Sequence, residues 1–301
     1  MSEARESART RRFSVIVPTF NRQARLATCL NAIARLDYPK DLYELIVIDD
    51  GGDNEQAVRD VVEALPMANV RLIRQQNAGP AAARNAGARA AANPYLAFTD
   101  DDCEPLPGWL TAFDDAFEQH PDALLGGYLT NALSKNRCAA ASQAVTDFAY
   151  DLAARLGGSG PGGTFLFATA SLACTTEGYQ KVDGFDETFP LAAGEDYDFC
   201  HRYQHAGLPA AFAPGAVVLH RHAMTLRQFA RQHFSYGRGL LHFRRRANER
   251  IEGVAERNLG NFQAKLALWC LKRAKPTEIA LVALSQAATL CGAVAESRRR
   301  V

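Results

Sequence analysis

The sequence predicts an α/β fold: a mostly parallel sheet flanked by helices, with a helical C-terminal extension. Short apolar runs alternate with stretches in which apolar residues recur at helical spacing, which is typical of βαβ units. Two of these runs end in consecutive aspartates, at 49–50 and 100–102. In open α/β sheets, ligands bind at the carboxyl ends of the strands, so both acidic segments are predicted at a ligand-binding edge.

The first half of the chain is predicted to contain four strands, each followed by a helix. Pro18 ends the first strand, and Asn21 is a candidate N-cap for the helix that runs to about Leu36. The strands are predicted at 13–17, 45–48, 70–73 and 95–98, and the later helices at 58–65, 81–91 and 109–117.

The regular alternation of strand and helix ends after Asn131. A helix over 135–156 precedes the glycine-rich segment 157–163, which predicts a mobile loop. This loop is either a flexible linker or a candidate active-site lid. The remaining predictions are strands at 165–174 and 216–219, a helical turn at 177–182, a helix from Gly194 to Gly207, and helices from Thr225 to the end.

Three regions are predicted from these patterns. Residues 1–12 form a mobile Arg-rich tail, residues 13–240 form the main domain, and residues 241–301 form the helical extension. The main domain divides into a nucleotide-binding half, 13–130, and an acceptor half, 131–240.

Composition favours a cytoplasmic protein. The net charge of +1 gives no general attraction to nucleic acid, and the seven cysteines include no CxxC pair, which argues against disulfides and a cysteine zinc site. The N-terminus lacks an apolar segment typical of a signal peptide. The longest apolar stretch, 279–295, is shorter than the roughly 20 residues of a spanning helix.

The Asp100–Asp102 triplet is a candidate metal site. Adjacent carboxylates repel one another but suit a divalent cation, and Asp100 and Asp102 would point to the same side of an extended segment. The alternative is a solvated acidic turn. Asp49 and Asp50 either accept hydrogen bonds from a base or ribose, or simply begin a turn.

Three further groups carry candidate chemistry. Arg84, near a helix N-terminus, suits phosphate or base contact, although a solvated surface arginine is the alternative. Glu195 and Asp196 begin a helix, where they stabilise its dipole or supply a general base. His220 and His222 are candidate metal ligands, against a role as ordinary core or surface histidines.

These motifs, in this order, resemble glycosyltransferase family 2, whose members have the GT-A fold, a Rossmann-like nucleotide-diphospho-sugar transferase fold. The likeness covers about residues 13–240. The segments that carry it are 15–21 (VIVPTFN), 48–51 (IDDG), 77–85 (NAGPAAARN), 99–102 (TDDD) and 194–196 (GED).

The resemblance implies roles for individual residues. Asp100 and Asp102 match the DxD motif, which contacts ribose and a Mg²⁺ or Mn²⁺ on the donor diphosphate, with Asp101 between them. Asp196 matches the catalytic base, Glu195 would help bind the acceptor, and His220 falls where some members supply another metal ligand. The positions implied for nucleotide-sugar binding are Pro18, Phe20, Asn21, Asp50, Arg84, Asp100 and Asp101.

The implied reaction is an inverting transfer from a nucleotide-diphosphate sugar, UDP-linked by family frequency, to a hydroxyl of a glycan, lipid-linked or small-molecule acceptor. The Gln-x-x-Arg-Trp motif of processive synthases is absent after Asp196, which favours transfer of one or a few sugars. The C-terminal helices are expected to pack on the domain or on a second copy, or to bind a membrane peripherally.

Other functions are less consistent with the sequence. A nucleotidyltransferase usually needs a basic Gly-rich loop after its first strand, and a NAD-dependent dehydrogenase needs GxGxxG after a strand. Neither motif is present. A non-catalytic sugar-nucleotide-binding or scaffolding protein is the alternative from another class, and the presence of Asp100, Asp102 and Asp196 argues against it.

Overall fold

The computed structural model describes residues 9–155, 165–189, 193–250, 259–273 and 275–298. The strands are β1 Phe13–Thr19, β2 Tyr43–Asp49, β3 Val70–Arg74, β4 Tyr95–Phe98, β5 Cys103–Pro105, β6 Leu124–Asn131, β7 Leu172–Thr175 and β8 Ala210–His220. The helices are α1 Gln23–Ala34, α2 Glu55–Glu63, α3 Pro80–Ala90, α4 Trp109–Gln119, α5 Arg137–Arg155, α6 Thr176–Lys181, α7 Glu195–His205, α8 Leu226–Arg250, α9 Leu259–Arg273 and α10 Pro276–Ser297.

The strands form one sheet in the order β3-β2-β1-β4-β7-β6-β8-β5. Strands β1 to β4 pair in parallel, β7 is antiparallel to both β4 and β6, and β6 pairs in parallel with β8. Strands β1, β2, β4, β6 and β8 therefore run in the same direction, and their carboxyl ends share one edge of the sheet. This arrangement confirms the predicted mostly parallel α/β sheet.

The core lies on both faces of the sheet because successive side chains of a buried strand point to opposite sides. On one face, Val15 and Val17 of β1 pack in a cluster with Trp109 of α4. On the other face, Ile16 and Phe98 pack with Phe199 of α7. This double burial explains why the central strands read as continuous apolar runs.

The C-terminal helices pack on each other and on α5. An added Cβ at Gly237 of α8 would lie 1.8 Å from the Thr289 carbonyl oxygen of α10, and one at Gly292 would lie 1.9 Å from the Phe234 carbonyl oxygen. The two helices therefore approach closely only because both positions are glycine. Helix α8 continues past residue 240, where the sequence analysis divides the chain.

Helix α10 has 22 residues, because it extends beyond the apolar stretch 279–295 at both ends. The prediction that this region is shorter than a spanning helix was therefore wrong. By length and composition alone it could cross a membrane, and 17% of its most apolar window is buried. Leu284, Leu290 and Val294 are exposed on it.

Three local features differ from the predictions. Asn21 does not cap α1: Arg22 is the N-cap residue, and the Asn21 side chain accepts a hydrogen bond from the Asp53 backbone instead. Residues 165–171 are not strand, so only the end of the predicted strand forms β7. Strand β5 was not predicted, because its pairing with β8 comes from distant sequence.

The tail and loop predictions fall partly outside the described residues. Residues 1–8 and the glycine-rich segment 157–163 belong to that undescribed part. Residues 9–12 contact the domain, since Arg9 pairs with Asp114 at 3.0 Å and Arg11 pairs with it at 2.6 Å.

Candidate active site

Asp50 ties the end of β2 to the segment before α3. Its carboxylate accepts hydrogen bonds from the backbone N–H groups of Ala78 (3.0 Å) and Gly79 (2.9 Å) and from the Gln75 side chain (2.7 Å). Gly79 has a φ of 89°, a conformation that favours glycine, so the chain turns into α3 without strain. Asp50 is buried and does more than begin a turn.

The acidic triplet lies in a tight turn, in which the Cys103 N–H donates to the Asp100 carbonyl oxygen at 3.0 Å. The expectation that Asp100 and Asp102 point to the same side applied to an extended segment, and residues 101–102 form a turn instead. The alternative of a solvated turn is wrong for Asp101 and Asp102, which are buried.

Each of the three carboxylates has its own partners. Asp100 accepts from Arg84 at 2.7 Å, and Asp101 accepts from Thr19 at 2.8 Å and from Arg22 at 3.1 Å. Burial raises the pKa of Asp101 to about 6, against the opposing effect of the Arg22 cation. The donors Arg84, Thr19 and Arg22 thus offset the mutual repulsion of the carboxylates that the sequence suggests.

Asp102 lies beside His220, as the resemblance implies. Asp102 Oδ1 is 3.4 Å from His220 Nε2, and Asp102 Oδ2 is 3.2 Å from Arg25. Burial alone would raise the pKa of Asp102, but His220 and the nearby cations lower it well below its usual range. The carboxylate therefore stays ionised.

These residues fit a divalent cation. The ligand atoms of Asp102, Cys103 and His220 lie within 4.8 Å of one another, the one such group found among the described residues. Two ligands of an octahedral ion of Mg²⁺ size lie about 3 Å apart, close to the Asp102–His220 separation. His222 lies next to His220, with ring centroids 5.4 Å apart, and burial lowers its pKa to about 4.

Arg84 joins the two halves of the site. Its buried guanidinium donates to Asp100 at 2.7 Å and to Glu195 at 3.0 Å, across 111 positions of sequence. The alternative of a solvated surface arginine is wrong, because Arg84 is 4% exposed. Burial opposes the charge, but both carboxylates raise the pKa of Arg84, so it stays a cation.

Glu195 and Asp196 begin α7 after Gly194, whose φ of 92° favours glycine. Glu195 is buried, and its second carboxylate oxygen has no hydrogen-bond partner among the described residues. Asp196 is half-buried and accepts from the Tyr197 N–H at 2.9 Å. Burial and the Glu195 charge raise the pKa of Asp196 to about 7.

The remaining predicted nucleotide-binding residues follow the same sheet edge. Pro18 pairs in register with Ile48, Phe20 is 45% exposed just beyond β1, and Asn21 donates to Asp53 at 3.0 Å. They lie near Asp50 and the acidic turn, while their contact with a nucleotide stays a prediction.

Sequence reasoning missed Thr19, Arg22 and Arg25, which hold the acidic turn from α1 and the end of β1. The only sequence signal was two arginines directly after the first strand. A cavity of about 330 Å³ lies beside Asp102, lined partly by Arg25, Cys103 and Arg221.

Comparison with family models agrees with the motifs. The model described as Glycosyl transferase family 2 matches residues 14–167, and the model described as Glycosyl transferase family group 2 matches residues 97–293.

Two relatives of this chain are named as glycosyltransferases. The pre-mycofactocin glycosyltransferase of Mycobacterium tuberculosis (strain ATCC 25618 / H37Rv) is 30% identical over 225 residues, which are 74% of this chain and 46% of that protein. The validoxylamine A glucosyltransferase of Streptomyces hygroscopicus subsp. limoneus is 27% identical over 65% of this chain and 48% of its own length. The chain spans about half the length of the curated relatives it matches.

Solved structures share the fold. A mannosyltransferase from Pyrobaculum calidifontis, in complex with GDP-Man and Mn²⁺, matches with a TM-score of 0.69 at 18% identity, over 97% of this chain and 88% of its own. Residues 1–349 of TarS from S. aureus, in complex with UDP-GlcNAc, match with a TM-score of 0.54 at 18% identity, over 95% of this chain and 90% of that one.

Proposed function

Because the chain belongs to glycosyltransferase family 2, we propose that it moves a sugar from a nucleotide-diphosphate donor to an acceptor hydroxyl with inversion at the anomeric carbon. The single observation that carries the proposal is the Asp100–Arg84–Glu195 bridge, which joins the acidic turn to the start of α7. A metal-binding turn and a candidate base are thereby held in one site.

The proposed donor is a UDP-sugar with Mg²⁺ or Mn²⁺. Two proteins of the same fold were solved with GDP-Man and Mn²⁺ and with UDP-GlcNAc, which supports a nucleotide-sugar donor. In this chain Asp102 and His220 would hold the metal. When bound, a divalent cation neutralises the charge that develops on the departing diphosphate. Phe20 and Asp50 would contact the base and ribose.

Asp196 is the proposed general base. A carboxylate with a pKa near 7 is partly ionised at neutral pH and accepts a proton more readily than an ordinary aspartate. Asp196 would take the proton of the acceptor hydroxyl as its oxygen attacks the anomeric carbon on the side opposite the diphosphate. A single displacement of this kind inverts the configuration and needs no covalent sugar–enzyme intermediate.

The test is calorimetric titration of UDP, GDP and dTDP, each with Mn²⁺, Mg²⁺ or EDTA. We expect one nucleotide to bind in a metal-dependent manner and Asp102→Ala to abolish that binding. Asp122→Ala is the matched control, because this exposed aspartate lies away from the site. Binding that ignores both metal and Asp102 would contradict the assignment of the acidic turn.

Turnover separates this proposal from a non-catalytic sugar-nucleotide-binding protein. Release of nucleoside diphosphate from the bound sugar nucleotide, with an acceptor present, is expected of the transferase. Metal-dependent binding without any release across a wide acceptor panel would favour the binding protein instead.

We further propose that the protein acts in the cytoplasm, on the cytoplasmic face of a membrane. The exposed Leu268 and Leu271 of α9 and Leu290 of α10 offer apolar contact, and the nearby Lys272 and Lys275 suit anionic headgroups. Sedimentation with anionic vesicles tests this, with Leu268→Ser/Leu271→Ser as the variant. Equal pelleting of the variant and the unaltered protein, or pelleting of neither, would contradict membrane binding. A homodimer formed through these helices is the competing outcome, and light scattering would detect it.

A further inference from the structure

A groove of about 340 Å³ opens at the junction of the main domain and the C-terminal helices. Its floor is the end of β6, with Thr130 and Asn131. One wall is α5, with Gln143 and Asp147, and the other is the end of α9, with Trp269 and Arg273. None of these residues has a part in the reaction described above.

The groove begins beside the predicted metal ligand. Asn131 is the register partner of His220 in the parallel β6–β8 pair, and the Ala132 N–H donates to the His220 carbonyl oxygen at 3.1 Å. Register partners of neighbouring strands point to the same face, so the two side chains are neighbours. His220 in turn faces Asp102 at 3.4 Å. A ligand in the groove would therefore have one end beside the candidate metal ligand His220.

The groove lies away from the strands that carry the predicted contacts to base and ribose. Strands β1 and β2, where Phe20 and Asp50 follow the strand ends, lie on the far side of β7 from β6 in the sheet order. A base and ribose bound over those strand ends would leave the end of β6 uncovered.

The lining suits a neutral polyol rather than a charged ligand. Asp147 and Glu278 supply two negative charges, and Arg273 and Lys275 supply two positive charges, but Arg273 is already paired with Asp151. The lining therefore has no excess of positive charge to hold an anionic ligand. The Thr130 hydroxyl has no hydrogen-bond partner among the described residues. A sugar hydroxyl both donates and accepts, so it pairs with carboxylates, amides and cations alike.

Several lining groups are already held in place. The Gln143 amide donates to the Leu129 carbonyl oxygen at 2.9 Å and to Asp147 at 2.7 Å, which leaves its own carbonyl oxygen and the second Asp147 oxygen available. The Trp269 indole donates to Asp151 at 2.8 Å, and Arg273 lies 5.4 Å from its ring. Fixed polar groups beside an indole ring are suited to the hydroxyl and C–H faces of a sugar.

We propose that this groove is the acceptor subsite and that it binds a neutral carbohydrate through Asn131, Gln143, Asp147 and Trp269. The inference rests on the proposed function and deepens it, since it names the chemical class of the acceptor. It also predicts that acceptor binding and donor binding are separable by substitution.

The first measurement is acrylamide quenching of tryptophan fluorescence in the full chain. The protein has two tryptophans: Trp109 is fully buried, whereas Trp269 is half-buried at the groove, so quenching reports mainly on Trp269. The probes are maltotriose, cellotriose, mannotriose and chitotriose, with glycerol 3-phosphate as the charged probe. At least one trisaccharide is expected to protect Trp269, and glycerol 3-phosphate is expected not to.

Asp147→Asn is expected to weaken that trisaccharide about tenfold, because a hydrogen bond to a charged group is lost or reduced. Lys265→Ala is the matched control, since this exposed residue of α9 does not line the groove. The metal-dependent nucleotide affinity of both variants should equal that of the unaltered protein. Once the donor is known, Asp147→Asn should raise the acceptor KM with little change in kcat.

Two results would overturn the inference. Absence of protection by every trisaccharide, or protection by glycerol 3-phosphate alone, would show that the groove does not bind neutral sugar. Failure of the proposed function would appear elsewhere, as loss of metal-dependent nucleotide binding in the unaltered protein, and the two failures are thus distinguishable.

Discussion

Asp102 and Asp196 are the same residue type on two sides of one site, and their surroundings give them opposite properties. Asp102 faces His220, Arg22 and Arg25. Against the effect of burial, His220 and the Arg22 cation lower the pKa of Asp102 well below its usual range. Asp196 has no cation within ion-pair distance among the described residues, and burial beside Glu195 raises its pKa to about 7. In the proposed reaction, Asp102 on the donor side therefore keeps its charge, and Asp196 on the acceptor side exchanges a proton.

One residue, Arg84, connects the two sides of the site. Arg84 pairs with Asp100 on the donor side and with Glu195 on the acceptor side, but not with Asp196 itself. It thus fixes the position of the α7 N-terminus without a direct bond that would hold Asp196 ionised. Arg84 and Glu195 are positioning residues in this view.

Asp196→Asn tests the comparison most severely. Without the carboxylate there is no base, and kcat is expected to fall about 10²-fold to 10⁴-fold while metal-dependent nucleotide binding is retained. Steady-state kinetics and calorimetry measure the two effects. Asp122→Asn is the control, and a variant that loses nucleotide binding as well would place Asp196 on the donor side.

Arg84→Met would test the bridge. It leaves the Glu195 carboxylate buried without its cation, and we expect a loss of about 3 to 5 kcal/mol in the free energy of unfolding. Urea unfolding measures it. The double variant Arg84→Met/Glu195→Met should recover most of the loss, because no unpaired charge remains; a single variant as stable as the original would show that the bridge contributes nothing.

Gly237→Ala would test the close packing of α8 and α10, with the free energy of unfolding measured by urea unfolding. A Cβ there meets the backbone of α10 at 1.8 Å, so the helices must separate, at a cost of about 1 to 3 kcal/mol in the free energy of unfolding. At Gly108, an added Cβ has no neighbour within 4 Å, and Gly108→Ala should cost less than about 1 kcal/mol. Equal effects of both substitutions would contradict the close packing of α8 and α10.

The smallest expected effect is on the pH dependence of kcat/KM, which should follow the raised pKa of Asp196. Protonation of Asp196 removes the base, so kcat/KM is expected to fall about tenfold for each pH unit below about 7 and to level off above it. The acidic limb should disappear from the residual activity of Asp196→Asn. A limb that persists in that variant would assign the titration to another group.

Much of the donor side was predictable because its signals are local. Each central strand is a short apolar run that ends at its polar residue, and the ends of β1, β2 and β4 fall within two residues of the predicted positions. The order of the motifs then identified the family, which the family models confirm. The acidic turn was located correctly at the end of β4.

Predictions that depend on pairing between distant segments succeeded less well. Strand β5 exists because Cys103 and Glu104 pair with His220 and Leu219, and a three-residue segment has no periodicity from which to predict it. The expected Asn21 cap failed because Asp53 offers that side chain a better partner across the site. Local preference is worth about 1 kcal/mol, which one tertiary hydrogen bond equals.

The sequence by itself determined the alternation of strands and helices, the placement of Asp50, Asp100, Asp102 and Asp196 at element ends, and hence the family. These features follow from the spacing of apolar residues, which is a property of neighbouring positions. Only the tertiary structure decided that Arg84 bridges to Glu195, that Asp196 has a raised pKa and that a polar groove leads away from His220. Charge pairing and desolvation depend on which groups meet in space, and no local pattern contains that information.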